Sequence, residues 1–269
     1  MLEKIKPLKH LGQNFLKSIT IAKKIISLLG DIDKKNIYEI GPGMGALTEH
    51  ILNTGANLTC FDIDKRSIDY LKEKFINAQN LTIIHSDIRN IIVDKPVSII
   101  GNIPYNITND VLFWLLANSQ HIDKAVLTVQ KEVAKRYTAK ENTKDYGITT
   151  LALKLFGSAK ICFNIPAAAF VPAPKIVSSV LLIEFDAEKY KEINKAELMK
   201  FIRAAFSMRR KILSNSLKQY FSEHNIDLAQ LSQELSNSDK HYLKCRAEQL
   251  KIEDYISFFD VIGKSDCSA

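Results

Sequence analysis

The four cysteines of this 269-residue chain, Cys60, Cys162, Cys245 and Cys267, are far apart, and no two stand at CxxC spacing. That scatter argues against a disulfide framework and against a zinc site, and it fits a reducing compartment. The six histidines are equally dispersed, so no metal is expected. No apolar run approaches the length needed to span a bilayer, and a membrane is not an expected partner. The opening MLEKIKPLKH lacks the apolar core of a secretory signal, and no arginine precedes Arg66, so no organellar leader is expected either. Internal repeats and low-complexity tracts are also missing. These absences leave an ordinary globular chain, 46% hydrophobic and 25% charged, expected in the cytoplasm.

Charge is where the composition becomes informative. The net charge is +7, but residues 1–24 carry six Lys against one Glu, and residues 200–218 carry six basic side chains and no acidic one. Residues 25–194 hold equal numbers of each sign. Two basic segments on a neutral body suit a polyanionic partner, although two solvated helix faces would read the same way.

Short Ile- and Val-rich runs alternate with helical patterns through the first two thirds. NIYEI (36–40), NLTCFDI (57–63), LTIIHSD (81–87), VSIIGN (97–102) and KAVLTVQ (124–130) read as strands covered on both faces, and 47–53, 65–76 and 109–117 as helices between them. The alternation predicts a doubly wound, mostly parallel sheet. Two later strands, 159–165 and 179–185, would extend it to seven, as an antiparallel edge. After Phe185 the polar DAEKYKEINKAE reads as a linker. From Leu198 only helical periodicity remains, with Leu198, Ile202, Ala205, Phe206, Leu213 and Leu217 near one face of a long helix and Ile252, Tyr255, Ile256, Phe259 and Val261 on another. The expected division is an α/β domain over 1–189 and a small all-helical domain over 190–269.

The first strand ends in GPGMG, where Gly41 and Gly43 would let a ligand approach the backbone. Asp62 follows 21 residues after Gly41, near the spacing at which a carboxylate grips ribose hydroxyls. The G-x-G-x-G spacing suits a nucleoside without a pyrophosphate, and an ordinary tight turn would also account for it. Asp87 ends the third strand and would either accept from an adenine amino group or cap a helix before Ile88. The fourth strand opens into GNIPYN. Asn102 and the carbonyl of Ile103, fixed in direction by Pro104, form a fork of two acceptors that suits an exocyclic –NH2 group. Tyr105 offers a face on which a base could stack. A simple turn with a core tyrosine is the alternative.

GNIPYN resembles the N-[ILP]-P-Y motif of S-adenosylmethionine-dependent adenine-N6 methyltransferases. LGQNFL (11–16), EIGPGMGALT (39–48), SDI (86–88), QKEVAKR (130–136), AFVPAPKIVSSV (169–180), FSMRRKILSNSLK (206–218) and RAEQL (246–250) resemble, in order, one family over nearly the whole chain. It is the ribosomal RNA adenine dimethylases, and within them the bacterial 16S branch. The resemblance implies a Rossmann-like methyltransferase sheet with a helical C-terminal domain, S-adenosyl-L-methionine as methyl donor without a metal, and a monomer. It further implies dimethylation of two adjacent adenosines in the 3′-terminal hairpin of 16S rRNA, linked to small-subunit biogenesis. Asn14 and Leu16 would contact the cofactor, Gly41 and Gly43 would pass beneath its methionine part, Asp62 would hold the ribose and Asp87 the adenine amino group. Asn102 would stand between cofactor and target, with Phe15, Tyr105 and Phe170 enclosing the flipped adenine. A helix carrying Met208–Lys211 would offer Arg209, Arg210 and Lys211 to phosphates. The family usually carries Glu at the ribose position, where this chain has Asp62, one methylene shorter. The neighbouring readings are a large-subunit rRNA methylase of the antibiotic-resistance type, disfavoured by AFVPAPKIVSSV and RRKILSNSLK; a non-catalytic nucleic-acid-binding factor on the same fold; and a DNA adenine methylase.

Overall fold

The computed structural model describes residues 5–8, 11–235 and 241–266; Lys4 and Lys9 of the N-terminal basic segment, and Cys267, lie outside them. The strands are β1 (Phe15–Leu16), β2 (Asn36–Ile40), β3 (Asn57–Asp62), β4 (Leu81–His85), β5 (Val97–Asn102), β6 (Ile122–Gln130), β7 (Gly157–Ile165), β8 (Phe170–Val171) and β9 (Ser178–Phe185). The helices are α1 (Ile19–Ser27), α2 (Thr48–Leu52), α3 (Lys65–Lys74), α4 (Thr108–Ala117), α5 (Lys131–Tyr137), α6 (Ile148–Phe156), α7 (Lys195–Phe206), α8 (Leu213–Ser216), α9 (Lys218–Glu223), α10 (Leu228–Glu234) and α11 (Ile252–Asp266).

Seven strands form one sheet in the order β4-β3-β2-β5-β6-β9-β7. The first five pair in parallel; β9 runs antiparallel to both β6 and β7. The predicted seven strands are thus present, with the two late ones at an antiparallel edge. Near-continuous apolar runs make this sheet because both its faces are covered: four of the five β2 residues and five of the six β5 residues are buried. The chain builds β2, β3 and β4 outward in one direction, then crosses back to lay β5 on the other side of β2. The carboxyl ends of β2 and β5 therefore flank the point where strand order reverses, which is where sheets of this kind open a ligand crevice. Ile40 pairs with Gly101 across that point. The Gly101 backbone must be bare there, since a Cβ would come within 2.7 Å of the Ile40 carbonyl.

Helices pack on the sheet by amphipathic spacing. α1 starts where the Ser18 side chain accepts from the Ile21 N–H, and it buries Ala22, Ile25 and Ile26. These join Ile37, Ile51, Leu58 and Cys60 in one cluster, each large aliphatic side chain contributing about 1.5–3 kcal/mol by leaving water. A second, two-stranded sheet joins β1 to β8, with Leu16 opposite Phe170. Two-residue strands carry no periodicity, and the sequence gives no warning of this pairing.

Contacts divide the chain into two compact units, residues 1–135 with 156–187, and residues 136–155 with 188–269. The second unit draws in a segment that a division at residue 190 assigns elsewhere. Its backbone partners explain the recruitment: the Tyr146 hydroxyl donates to the Leu250 carbonyl at 2.8 Å, and the Asn142 N–H donates to the Glu248 carbonyl at 2.9 Å. The aromatic centre of this unit is Phe201, edge-on to Tyr220 at 5.3 Å and to Phe258 at 5.2 Å.

The long helix expected through Leu198–Leu217 is not continuous. α7 ends at Phe206, residues 207–210 turn, and α8 restarts only at Leu213. Arg209 fixes the break. Its Nε donates to Glu248 at 2.6 Å and its two terminal nitrogens donate to the carbonyls of Lys144 and Thr143. Three strong bonds to distant backbone and a carboxylate outweigh the small intrinsic preference for continuing a helix.

Candidate active site

The cavity at the carboxyl ends of β2, β3 and β5 is lined by residues 11–15, Gly41, Gly43, Asp62, Ile63 and 102–105, and encloses about 510 Å³ of space including its mouth.

Its floor is the turn after β2. Gly41 and Gly43 both have positive φ, +64° and +55°. At Gly43 an added Cβ would lie 2.7 Å from the Phe15 ring, so the position is closed to any side chain. Asp62, last in β3, is only 8% exposed. Its Oδ1 accepts from the Asp64 N–H at 2.9 Å and its Oδ2 from the Gly43 N–H at 3.4 Å. Burial raises its pKa above the usual carboxylate value, against these two bonds, which lower it. Beneath it, Glu39 of β2 is 1% exposed and accepts from the Thr48 hydroxyl at 2.7 Å. Burial pushes the Glu39 carboxyl up to about 7. Ionised Glu39 therefore opposes folding: its stabilising neutral form is complete below the unfolded glutamate value and lost as pH rises to about 7.

The far wall is the exit of β5. The Asn102 side-chain Nδ2 donates to the Asn14 carbonyl at 2.7 Å, which fixes the amide and leaves Oδ1 as an acceptor. The Ile103 N–H donates to the Thr128 carbonyl at 3.1 Å, holding the chain on β6. Pro104 stands at φ −55°, ψ 135°, extended, and a one-turn 3-10 helix begins at Tyr105. The Tyr105 hydroxyl lies 2.9 Å from the Ser178 hydroxyl.

The third wall is the segment before β1. Gln13 accepts from the Leu8 N–H and donates to Asp64 at 2.8 Å. Arg66 grips the same carboxylate through Nε and a terminal nitrogen, at 2.9 and 2.6 Å, and holds it down to about 2. A chain of side chains thus ties the segment to the turn that carries Asp62.

Compared with known proteins, residues 5–262 match the family described as ribosomal RNA adenine dimethylase. The chain belongs to that family. Adenine methylation of ribosomal RNA is the reaction class that membership brings. The chain is 38% identical to the ribosomal RNA small subunit methyltransferase A of Cytophaga hutchinsonii, over 97% of this chain and 99% of that protein. It is 31% identical to the protein of the same name from Enterococcus faecalis, over 96% and 90% of the two chains. Among solved structures it is similar to a dimethyladenosine transferase from Plasmodium falciparum, with a TM-score of 0.81, 24% identity and coverage of 93% and 98%. It is also similar to the 23S rRNA methyltransferase ErmE, at 0.72, 21%, 93% and 100%. These two likenesses establish the fold.

The family's methyl donor, S-adenosylmethionine, fits the cavity on two observations. Gly43 offers backbone where a side chain could not stand, and Asp62 presents a buried carboxylate whose hydrogen-bonding partners are backbone N–H groups alone. Among the described residues no group of three or more His, Cys, Asp or Glu could hold a metal ion. No helix among them is long and apolar enough to cross a membrane.

Of the residues that the resemblance marks, the structure brings Asn14, Phe15, Gly41, Gly43, Asp62, Asn102, Ile103, Pro104 and Tyr105 to this one cavity. Leu16 is buried and lines a smaller adjoining pocket with Glu39 and Met44. Three other marked residues have partners or surroundings of their own. Asp87 is not among the residues lining the cavity: it caps residues 88–90 through the Arg89 N–H and forms a bidentate ion pair with the Arg89 guanidinium, which lowers its pKa. Phe170 is 2% exposed and belongs to the core cluster, paired across the small sheet with Leu16. Arg209 is committed to Glu248 and two carbonyls, on a turn rather than a helix, whereas Arg210 and Lys211 are exposed. Gln13, Asp64 and Ser178 were not marked as site residues. Gln13 and Ser178 lie inside two of the matching motifs, but only the structure supplies their partners.

Proposed function

We propose that this chain transfers methyl groups from S-adenosylmethionine to N6 of two adjacent adenosines in the 3′-terminal hairpin of 16S rRNA, within the small ribosomal subunit. The observation that carries this reading is the orientation of the Asn102 amide. With Nδ2 committed to the Asn14 carbonyl, Oδ1 is the group left to accept at the cavity. Oδ1 and the Ile103 carbonyl are assigned to the two N6 hydrogens, with Pro104 setting the angle between them. Accepting both hydrogens favours a pyramidal nitrogen and a localised lone pair, and the two bonds strengthen as positive charge develops there. Asp62 is assigned to the ribose hydroxyls, Asn14, Gly41 and Gly43 to the methionine part. Tyr105 stacks on the flipped base and offsets part of the cost of removing it from its stack, with Phe15 on the cofactor side. When bound, the cofactor supplies a methyl carbon already activated by its sulfonium sulfur.

The small subunit is preferred as substrate because the similar full-length relatives carry small-subunit names, whereas the likeness to ErmE is one of fold. Residues 190–269 are assigned to target selection, with Arg210 and Lys211 on phosphates. The protein acts as a monomer in the cytoplasm, beside the assembling subunits.

The test is incubation with methyl-labelled S-adenosylmethionine and, separately, unmethylated small subunits, large subunits and adenine-containing DNA. Label is expected in small subunits alone. Label in large subunits would move the chain to the antibiotic-resistance type, and incorporation nowhere would make it a non-catalytic binding factor.

A further inference from the structure

Ser178 is fully buried, first in β9, paired with Gln130 of β6 on one side and Ile165 of β7 on the other. Its hydroxyl meets that of Tyr105 at 2.9 Å, 73 residues away in sequence. A buried hydroxyl without a partner costs about 1–3 kcal/mol, so the two groups hold each other in place. The other end of Tyr105 is also fixed: it follows Pro104, and its carbonyl accepts from the Thr108 hydroxyl at 3.3 Å. The Tyr105 ring is therefore anchored at both ends, with Ser178 holding the end that a phenylalanine would leave loose.

We propose that the Tyr105–Ser178 hydroxyl pair controls the second methyl transfer to each adenosine more than the first, with Ser178 acting as a positioning residue through Tyr105. The inference rests on the reading of Asn102 and Tyr105 given above. In each transfer the N6 lone pair forms an N–C bond, the S–C bond breaks with its electrons passing to sulfur, and one N6 proton leaves to water. Before the first transfer, N6 offers two N–H donors to two acceptors, and the polar fork alone orients the amine. After it, N6 has one N–H and one methyl, and half the polar grip is gone. The plane of the base is then set chiefly by the ring stacked on it. Any play in that ring is tolerated in the first transfer and retards the second.

The experiment follows N6-monomethyl- and N6,N6-dimethyladenosine over time on unmethylated small subunits, for wild type, Ser178→Ala, Tyr105→Phe and the double variant. Calorimetric S-adenosylmethionine affinity and thermal unfolding are measured on the same proteins. Ser178→Ala is expected to accumulate the monomethyl product, with the ratio of second to first rate constants falling about fivefold, the worth of one hydrogen bond. Tyr105→Phe should do the same, the double variant no more than either alone, and cofactor affinity should stay within twofold of wild type. Equal slowing of both transfers, additive losses in the double variant, or an unchanged product ratio would overturn the proposal. The underlying reading is checked apart from it by Tyr105→Ala and Asn102→Ala. If these are inactive while Ser178→Ala gives the wild-type ratio, only this inference falls; if they turn over normally, both do.

Discussion

Asn102→Ala is expected to lower the methylation rate about 10³-fold while RNA binding and cofactor affinity change only a few-fold. The magnitude follows from deleting one preorganised polar group at the atom where charge develops. The asymmetry between rate and binding follows from geometry. The Asn102 side chain donates one hydrogen bond, to the Asn14 carbonyl, and its loss leaves that carbonyl at a cavity that water can enter. Single-turnover methylation of small subunits, beside calorimetric binding of the cofactor, checks both halves. Turnover within tenfold of wild type would remove the amide from the reaction. A fall in cofactor affinity that matched the fall in rate would make Asn102 a binding residue only.

Asp62→Asn is expected to weaken S-adenosylmethionine about 30-fold, the loss of about 2 kcal/mol for one charge-assisted hydrogen bond to a ribose hydroxyl. The pH dependence has a definite sign. Burial raises the pKa of Asp62 in the free protein, and ribose donors favour its ionised form. Affinity should therefore be full at neutral pH and decline as pH falls, beginning above the ordinary aspartate range; the Asn variant should lack that decline. Stability should move the other way. A carboxylate raised on folding withdraws stability as pH rises from its unfolded to its folded value, so the cofactor-free Asn variant should unfold at a slightly higher temperature than wild type near neutral pH. Weaker binding with greater stability is the signature of a side chain held at a cost for its ligand. Calorimetry and thermal unfolding across pH 4–8 would read both.

The sheet was legible in the sequence because buried parallel strands announce themselves as short apolar runs. The expected 36–40 and 97–102 coincide with β2 and β5, whose ends make the site. Adjacency of Gly41, Asp62 and Asn102 also followed, since all three end strands on one edge of the sheet. What failed was whatever local pattern does not encode. The apolar spacing through 198–217 continues as though one helix ran on, and the break at 207–211 is dictated by a carboxylate and two carbonyls from elsewhere in the chain. Asp87 reads as an adenine acceptor or a helix cap; the structure shows the cap together with an ion pair to Arg89, a partner that local pattern does not announce. Phe170 faces the core because two residues pair with β1, too few to leave a period. Ser178 is one serine among several until a tyrosine hydroxyl is found 2.9 Å away.

The most direct measurement of the central claim is the nucleoside content of small-subunit RNA after exhaustive reaction, by digestion and mass spectrometry. Two N6,N6-dimethyladenosines per subunit, from adjacent positions and through an N6-monomethyl intermediate, are the expected products. Methyl groups on a ring nitrogen, on ribose or on another base would contradict the account, because the Asn102 and Ile103 acceptors are matched to an exocyclic amine and to nothing else on the base.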